Sequence, residues 1–596
     1  MALANVGAEL AQRGRRVLAV DFDLEAPGLD TFDLSRPKGD IPGLVDFVGE
    51  YLATGEAPAV DKFVFESEGV GKDGGGLWIM PSGARQDTYT NTLASIDWGD
   101  LYARHDGYLL FEDLKEQWKS YVRPDYVLID SRTGHTDVGG ICTRQLPDAV
   151  AILFFPNVQN YRGLIKVVQD IRAEADVPGK KPIHLHFILS NVPDLDDEDG
   201  ILEGIIDAFK DGLGFDDPLM IHRYDSLALL HEEVFTRTRP SSRLAKEYHS
   251  VVQEIVRHNP RDRDGALDFL KNVDLFEGLP RSRGNWQLQQ REIAEHLKIV
   301  QENFRDDGEM LFRLGCISDR FGRLKTAAKR FDRSIEAGYC TPEIYLRRAQ
   351  IRNVELKDSN GAHEDAVNVI NHSKASTDQV LQALNIIGTD NVASVRDMSG
   401  LLSRPPHERI WIAKEFNTTK AEAKFALNIL RPLQTESGIS ADLVDEASVA
   451  FVLQSIAVGR FADAIEAIQH RESDLQAMSI YQAFNYGMAL WGEAGQIVSE
   501  PFERVLNLEL PNPDERPTPN MMQCIAVAFW AVGRIQDAKQ AATSAILFSS
   551  ARKEPEFSCW RYLQVPSDEF ERDVNELQQL IDGDKSVKPL FLSLSD

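Results

Sequence analysis

Five short apolar runs, continuous rather than alternating, limit what the N-terminal half of this chain can become. They are Arg16–Asp21 (RVLAVD), Leu77–Pro81 (LWIMP), Tyr126–Asp130 (YVLID), Ala149–Phe155 (AVAILFF) and Ile183–Ser190 (IHLHFILS). A strand solvated on one face alternates polar and apolar residues, whereas a strand covered on both faces does not need to. Helical patterns lie between the runs, so successive strands are joined by crossovers. That combination predicts a doubly wound α/β domain with a parallel sheet over residues 1–258. From about residue 286 the strand signals fade and helices take over. Residues 259–285 hold Pro260, Pro280 and many charges, and read as the linker.

Residues 286–596 carry an internal echo. Gly459-Arg460-Phe461-Ala462-Asp463-Ala464 returns as Gly533-Arg534-Ile535-Gln536-Asp537-Ala538, and more loosely as Gly322-Arg323-Leu324-Lys325-Thr326-Ala327. In each copy a Gly suits the left-handed cap that ends one helix. A small Ala five residues later lets the next helix approach closely. The spacing resembles the tetratricopeptide repeat. Leu314-Gly315, Ala327 and Phe331 match one such repeat, and Ala526, Phe529, Ala538 and Ala545 match another; Arg348 stands where a Leu is usual. The resemblance implies an all-α platform that binds a protein partner.

Composition narrows the partners. A chain of 596 residues exceeds what one hydrophobic core organises, so several domains are expected. The formal net charge is -28, and no cluster of Lys and Arg stands out, which disfavours a surface for nucleic acid. The longest apolar stretch, Ala149–Phe155, is far short of the ~20 residues that span a bilayer, and the polar face around Val574–Ile581 is acidic, so no membrane partner is expected. The cysteines (Cys142, Cys316, Cys340, Cys524, Cys559) form no C-x-x-C pair, and no segment has the order of a signal peptide. A cytoplasmic location is the expectation.

Three segments carry chemistry together. Asp21-Phe22-Asp23-Leu24-Glu25-Ala26-Pro27-Gly28 follows directly on a buried strand, at the edge where open α/β sheets bind ligands. Asp130-Ser131-Arg132-Thr133-Gly134 caps another strand, and Asn191 closes a third. A strand-end Asp can hold a water of Mg2+, and a following Gly can bring a backbone N–H close to a terminal phosphate.

With MALANVGAELAQRGRRVLAVDFDLEAPGLD, LWIMPSGARQD, DYVLIDSRTGHTD and ILSNVPD, this set resembles the ParA/MinD group of deviant P-loop ATPases. The variant it is most similar to has a phosphate-binding loop reading K-G-G-V-G-R-[ST]. The resemblance covers residues 1 to about 230 and implies a SIMIBI-type NTPase that takes ATP and Mg2+ and pairs as a nucleotide-dependent homodimer. By that resemblance Asp21 supports the metal site, Asp23 orients the attacking water and Asp130 is the Walker B acid. Asn191 contacts adenine, and Gly134 lies in the switch that senses the γ-phosphate. Arg132 stands where many relatives have Pro.

One part of the pattern is missing. No G-x-x-x-x-G-K-[ST] occurs in the sequence. Gly69-Val70-Gly71-Lys72-Asp73 precedes a strand instead of following one, and Asp rather than Ser or Thr succeeds Lys72, so it reads as a loop. The helical pattern Leu3, Val6, Leu10 starts at the first residues without a capping side chain. The first strand and the phosphate loop are therefore expected ahead of Met1, in about 15–20 further residues. On this reading the full-length form is an ATPase, and the chain as given is inactive. The alternative is a non-enzymatic scaffold whose nucleotide fold has decayed.

Two other groupings read more simply. His184 and His186 alternate on one strand and could share a face, but the sequence near them offers no third ligand. His135 reads as a loop hydrogen-bonder and the acidic Asp194–Asp199 run as a solvated loop.

Overall fold

A computed structural model describes residues 1–32, 34, 41–84, 89–131, 140–177, 180, 182–194, 200–215, 217–224, 233–275, 285–388, 391–392, 398–508, 517–552 and 554–592. The chain divides into two compact units, Met1–Asn303 and Phe304–Asp596. The first is an α/β unit and the second is helical.

The main elements of the first unit run in chain order as α1 (Ala2–Gln12), β1 (Arg16–Phe22), α2 (Leu44–Thr54), β2 (Phe65–Ser67), β3 (Gly76–Met80), α3 (Gly107–Tyr121) and β4 (Tyr126–Ser131). They continue as β5 (Ala149–Phe154), α4 (Val158–Ala173), β6 (His184–Val192), α5 (Ile201–Leu213), β7 (Leu219–His222), α6 (Arg243–Arg257), α7 (Arg263–Leu275) and α8 (Asn285–Asn303). The stretch expected to be linker thus holds the helix α7.

The strands form two sheets, ordered β2-β3-β1-β4 and β5-β6-β7. All pairings are parallel except β2 with β3. Among the described residues, β4 bonds only to β1 and β5 only to β6, so each sheet ends on a parallel strand with one free edge.

Alternation along β1 sorts its side chains between two helical layers. Leu18, Val20 and Phe22 pack with Phe47 and Val48 of α2 and with Phe111 and Leu114 of α3. Val17 and Ala19 pack with Val6 and Leu10 of α1 and with Val251 and Val252 of α6. Covered from both sides, β1 can be apolar throughout, and each large side chain buried this way contributes roughly 1.5–3 kcal/mol.

In the second unit the Gly-Arg echo marks helical hairpins. Gly308–Arg320 turns into Leu324–Glu336, Ala441–Ala457 into Phe461–Arg471, and Pro519–Ala531 into Ile535–Arg552. The hinge glycines Gly322, Gly459 and Gly533 have φ of 70°, 74° and 84°, where a side chain is disfavoured. Ala327, Ala464 and Ala538 are fully buried, as a close helix approach requires. A Cβ on Gly315 would lie 2.4 Å from the Phe331 ring, so the small residue on one helix seats the large one on the next. Arg348 is held by Asp365 at 2.5 Å and by Asp332 at 2.7 Å. An ion-paired Arg therefore takes a position where packing alone would call for Leu. No helix among the described residues is long and apolar enough to cross a membrane.

Candidate functional site

The alternation that packs Val17 and Ala19 against α1 puts Asp21 on that same face, at the C-terminal end of β1. In β4, Tyr126 and Leu128 share the face, and Asp130 continues it. Strand register sets Asp21 directly opposite Asp130.

Asp21 is 2% exposed. Its Oδ1 accepts the Asp23 N–H at 3.2 Å, and its Oδ2 accepts the N–H groups of Gly28 at 3.3 Å and Leu29 at 3.1 Å. These bonds fold the segment after β1 back over the strand end. Asp23 turns the next step, its Oδ1 accepting the Ala26 N–H at 3.3 Å.

Hydrogen bonding does not offset the loss of water. Burial, with the charge of Asp130 adding to it, pushes the Asp21 carboxyl up to about 6. Burial also raises Asp130; the Met1 amine at the head of α1 opposes that rise and Asp23 reinforces it. Three carboxylates therefore act on one another across one crevice.

The head of α1 touches a second feature. Met1 and Ala2 line a cavity of about 390 Å³ together with Leu153, Ser190, Asn191 and Arg223. Asn191 sits at an irregularity in the pairing of β6 with β7, with φ of 59°. Asn tolerates this left-handed conformation better than most residues. Acids and amide thus flank one helix terminus, whose free N–H groups and dipole favour an anion.

Gly134, with Arg132, Thr133 and His135, lies outside the described residues. Lys72 is at the opposite end of the sheet. Its N–H donates to the Ala11 carbonyl at the C-terminal end of α1, so the Gly69–Asp73 loop lies away from the acids.

One residue with no sequence signature joins the crevice. Tyr89 donates its hydroxyl to the Leu24 carbonyl at 2.8 Å, and its phenol is raised by burial and by the charges of Asp21, Asp46 and Asp23. A lone Tyr beyond the LWIMPSG block gives no motif to find it by.

No protein-family model matches the chain, and no curated protein matches it. Among solved structures, it is similar to a variant of McdA from Cyanothece in complex with ATP. That likeness has a TM-score of 0.33 and 16% identity, and covers 42% of this chain and 89% of that one.

The residues present fit a magnesium nucleotide in one half only. Carboxylates raised by burial and mutual repulsion gain from a divalent cation, which would restore their charged forms. The described residues form no Gly-rich cradle for phosphates; Arg223 lines the cavity beside the α1 terminus.

Proposed function

We propose that residues 1–258 bind ATP with Mg2+ and act as a nucleotide-dependent switch, and that the helical hairpins after them present or release a protein partner. The observation that carries this reading is the meeting of Asp21, Asp23 and Asp130 beside the head of α1. Asp130 and Asp21 would hold the metal and its waters, Asp23 would align the attacking water, and Asn191 would meet the adenine. Catalysis of this kind is positioning plus electrostatics. Two copies would close over the nucleotide. The repeated hairpin construction, with left-handed glycines and buried alanines at equivalent places, supports a tetratricopeptide-like platform.

Among the described residues, β4 and β5 each keep one parallel edge unpaired, open to a further strand.

The test is calorimetric titration with ATP·Mg2+. One sample is this chain, and the other carries an added strand and K-G-G-V-G-R-[ST] loop ahead of Met1. Weak or no binding by the first and clear binding by the second is the expected outcome. Binding by neither leaves a scaffold whose work is done by the helices.

A further inference from the structure

A second constellation lies at the N-terminal end of β6, in the other sheet from the acids. Residues i and i+2 of a strand share a face, so His184 and His186 at the start of β6 point the same way as Ile188, toward α6. His258 caps the C-terminal end of α6. The His184 and His258 rings lie 4.3 Å apart centre to centre, and His186 lies 4.6 Å from His184 and 5.3 Å from His258. One nitrogen from each ring falls within 4.8 Å of the other two.

We propose that His184, His186 and His258 bind one divalent transition-metal ion of the zinc class, fastening β6 to the C-terminal end of α6.

The donor set decides the class. Three neutral imidazoles suit Zn2+, Ni2+, Cu2+ or Co2+, while Mg2+ and Ca2+ take oxygen ligands. Three protein ligands would leave a fourth position for water.

His186 is 5% exposed, and its Nδ1 is buried without a hydrogen-bond partner among the described residues. Leaving such a group unmatched is unfavourable, and a metal bond would satisfy it. The Nδ1 of His258 is 3.0 Å from the Glu254 carbonyl oxygen and 3.2 Å from its carboxylate. Donating that proton leaves Nε2 as the lone-pair donor. This is the outer-shell arrangement that orients metal-bound histidines.

A tetrahedral ion with bonds of ~2.0–2.1 Å needs nitrogens about 3.3 Å apart, so the rings must close by at most about 1.5 Å. His184 and His258 are exposed and have room to turn.

The experiment is titration of the intact metal-free chain with Zn2+ by calorimetry, repeated with Co2+ to read the absorption of a tetrahedral nitrogen-ligated ion. One equivalent should bind and raise the unfolding temperature, and a large excess of Mg2+ should not compete. His258→Ala, on the exposed side of the cluster, should weaken Zn2+ binding more than about 100-fold, beyond the 10–100-fold typical of outer-shell changes. His186→Gln should do the same, with circular dichroism checking that it folds. Absence of Zn2+ binding, displacement by Mg2+, or unchanged affinity in the His184→Ala/His258→Ala double variant would overturn the proposal.

Discussion

The two ends of β1 and β4 hold carboxylates in opposite conditions. At the N-terminal end, Asp262 receives Arg15 through Nε at 2.9 Å and through a terminal nitrogen at 2.7 Å, and the Tyr126 hydroxyl at 3.0 Å. Burial pushes this carboxyl up, but the bonds and charge of Arg15 outweigh it and hold Asp262 below the usual range. At the C-terminal end, Asp21 is buried just as deeply, accepts three backbone N–H groups, and still rises to about 6. The difference is the counter-charge. One end has its cation built in from the chain, while the other sets acid against acid. Perturbed acids of this kind are the places where ligand sites concentrate, which is what motivates the reading proposed above.

Asp262→Ala gives the largest effect. It takes the buried carboxylate from the Arg15 guanidinium, 17% exposed, and leaves it Asp264 at 2.6 Å and the Arg13 carbonyl. Because Asp264 stays paired with Arg15, the cost lies at the lower end of the range for breaking a buried pair, about 3 kcal/mol, read as a lower midpoint in urea. Replacing both partners, as in Arg15→Met with Asp262→Leu, should recover most of that loss. A double variant as unstable as the single one would show that the pair is not what secures this end of the sheet.

The acid end predicts the opposite sign. Asp21 has its folded-state value raised from 3.8 to about 6, so the folded state holds the proton more tightly than the unfolded state. Stability is then highest below pH 4 as far as this group is concerned, falls as pH rises to about 6, and is level beyond. Asp21→Asn copies the protonated acid. It should add up to about 3 kcal/mol at pH 7 and remove the slope between pH 4 and 6. Denaturant melts at a series of pH values measure both, and a destabilising Asn would mean that this end holds its charge comfortably after all.

How much of this could be read beforehand follows from which forces are local. β1 and β4 were visible because strands covered on both faces become continuous apolar runs, and their terminal acids came with them. The hairpin hinges were visible because a left-handed cap needs Gly and a close helix needs Ala. β2 and β7, edge strands of three and four residues, were too short to stand out. Tyr89 and His258 could not be found from their neighbours in sequence. Each matters through a contact made by the fold, Tyr89 above the acids and His258 beside two imidazoles far earlier in the chain. Arg348 is fixed by Asp332 and Asp365, partners that its neighbours in sequence do not announce.

The smallest expected effect tests whether place or residue type makes the difference between the two ends. Lys72, in its Gly-rich setting, has the composition of a phosphate binder but lies at the end of the sheet where Arg15 and Asp262 already pair. Its backbone N–H donates to Ala11, a bond that any residue but Pro preserves. Its side chain is exposed. Lys72→Ala should therefore shift stability by less than about 0.5 kcal/mol. It should also leave nucleotide affinity unchanged in the loop-extended protein, measured beside Asp130→Asn in the same titration. If the Lys72 variant lost nucleotide and the Asp130 variant kept it, the phosphates would belong at the paired end, and unmatched acids would have ceased to mark the site.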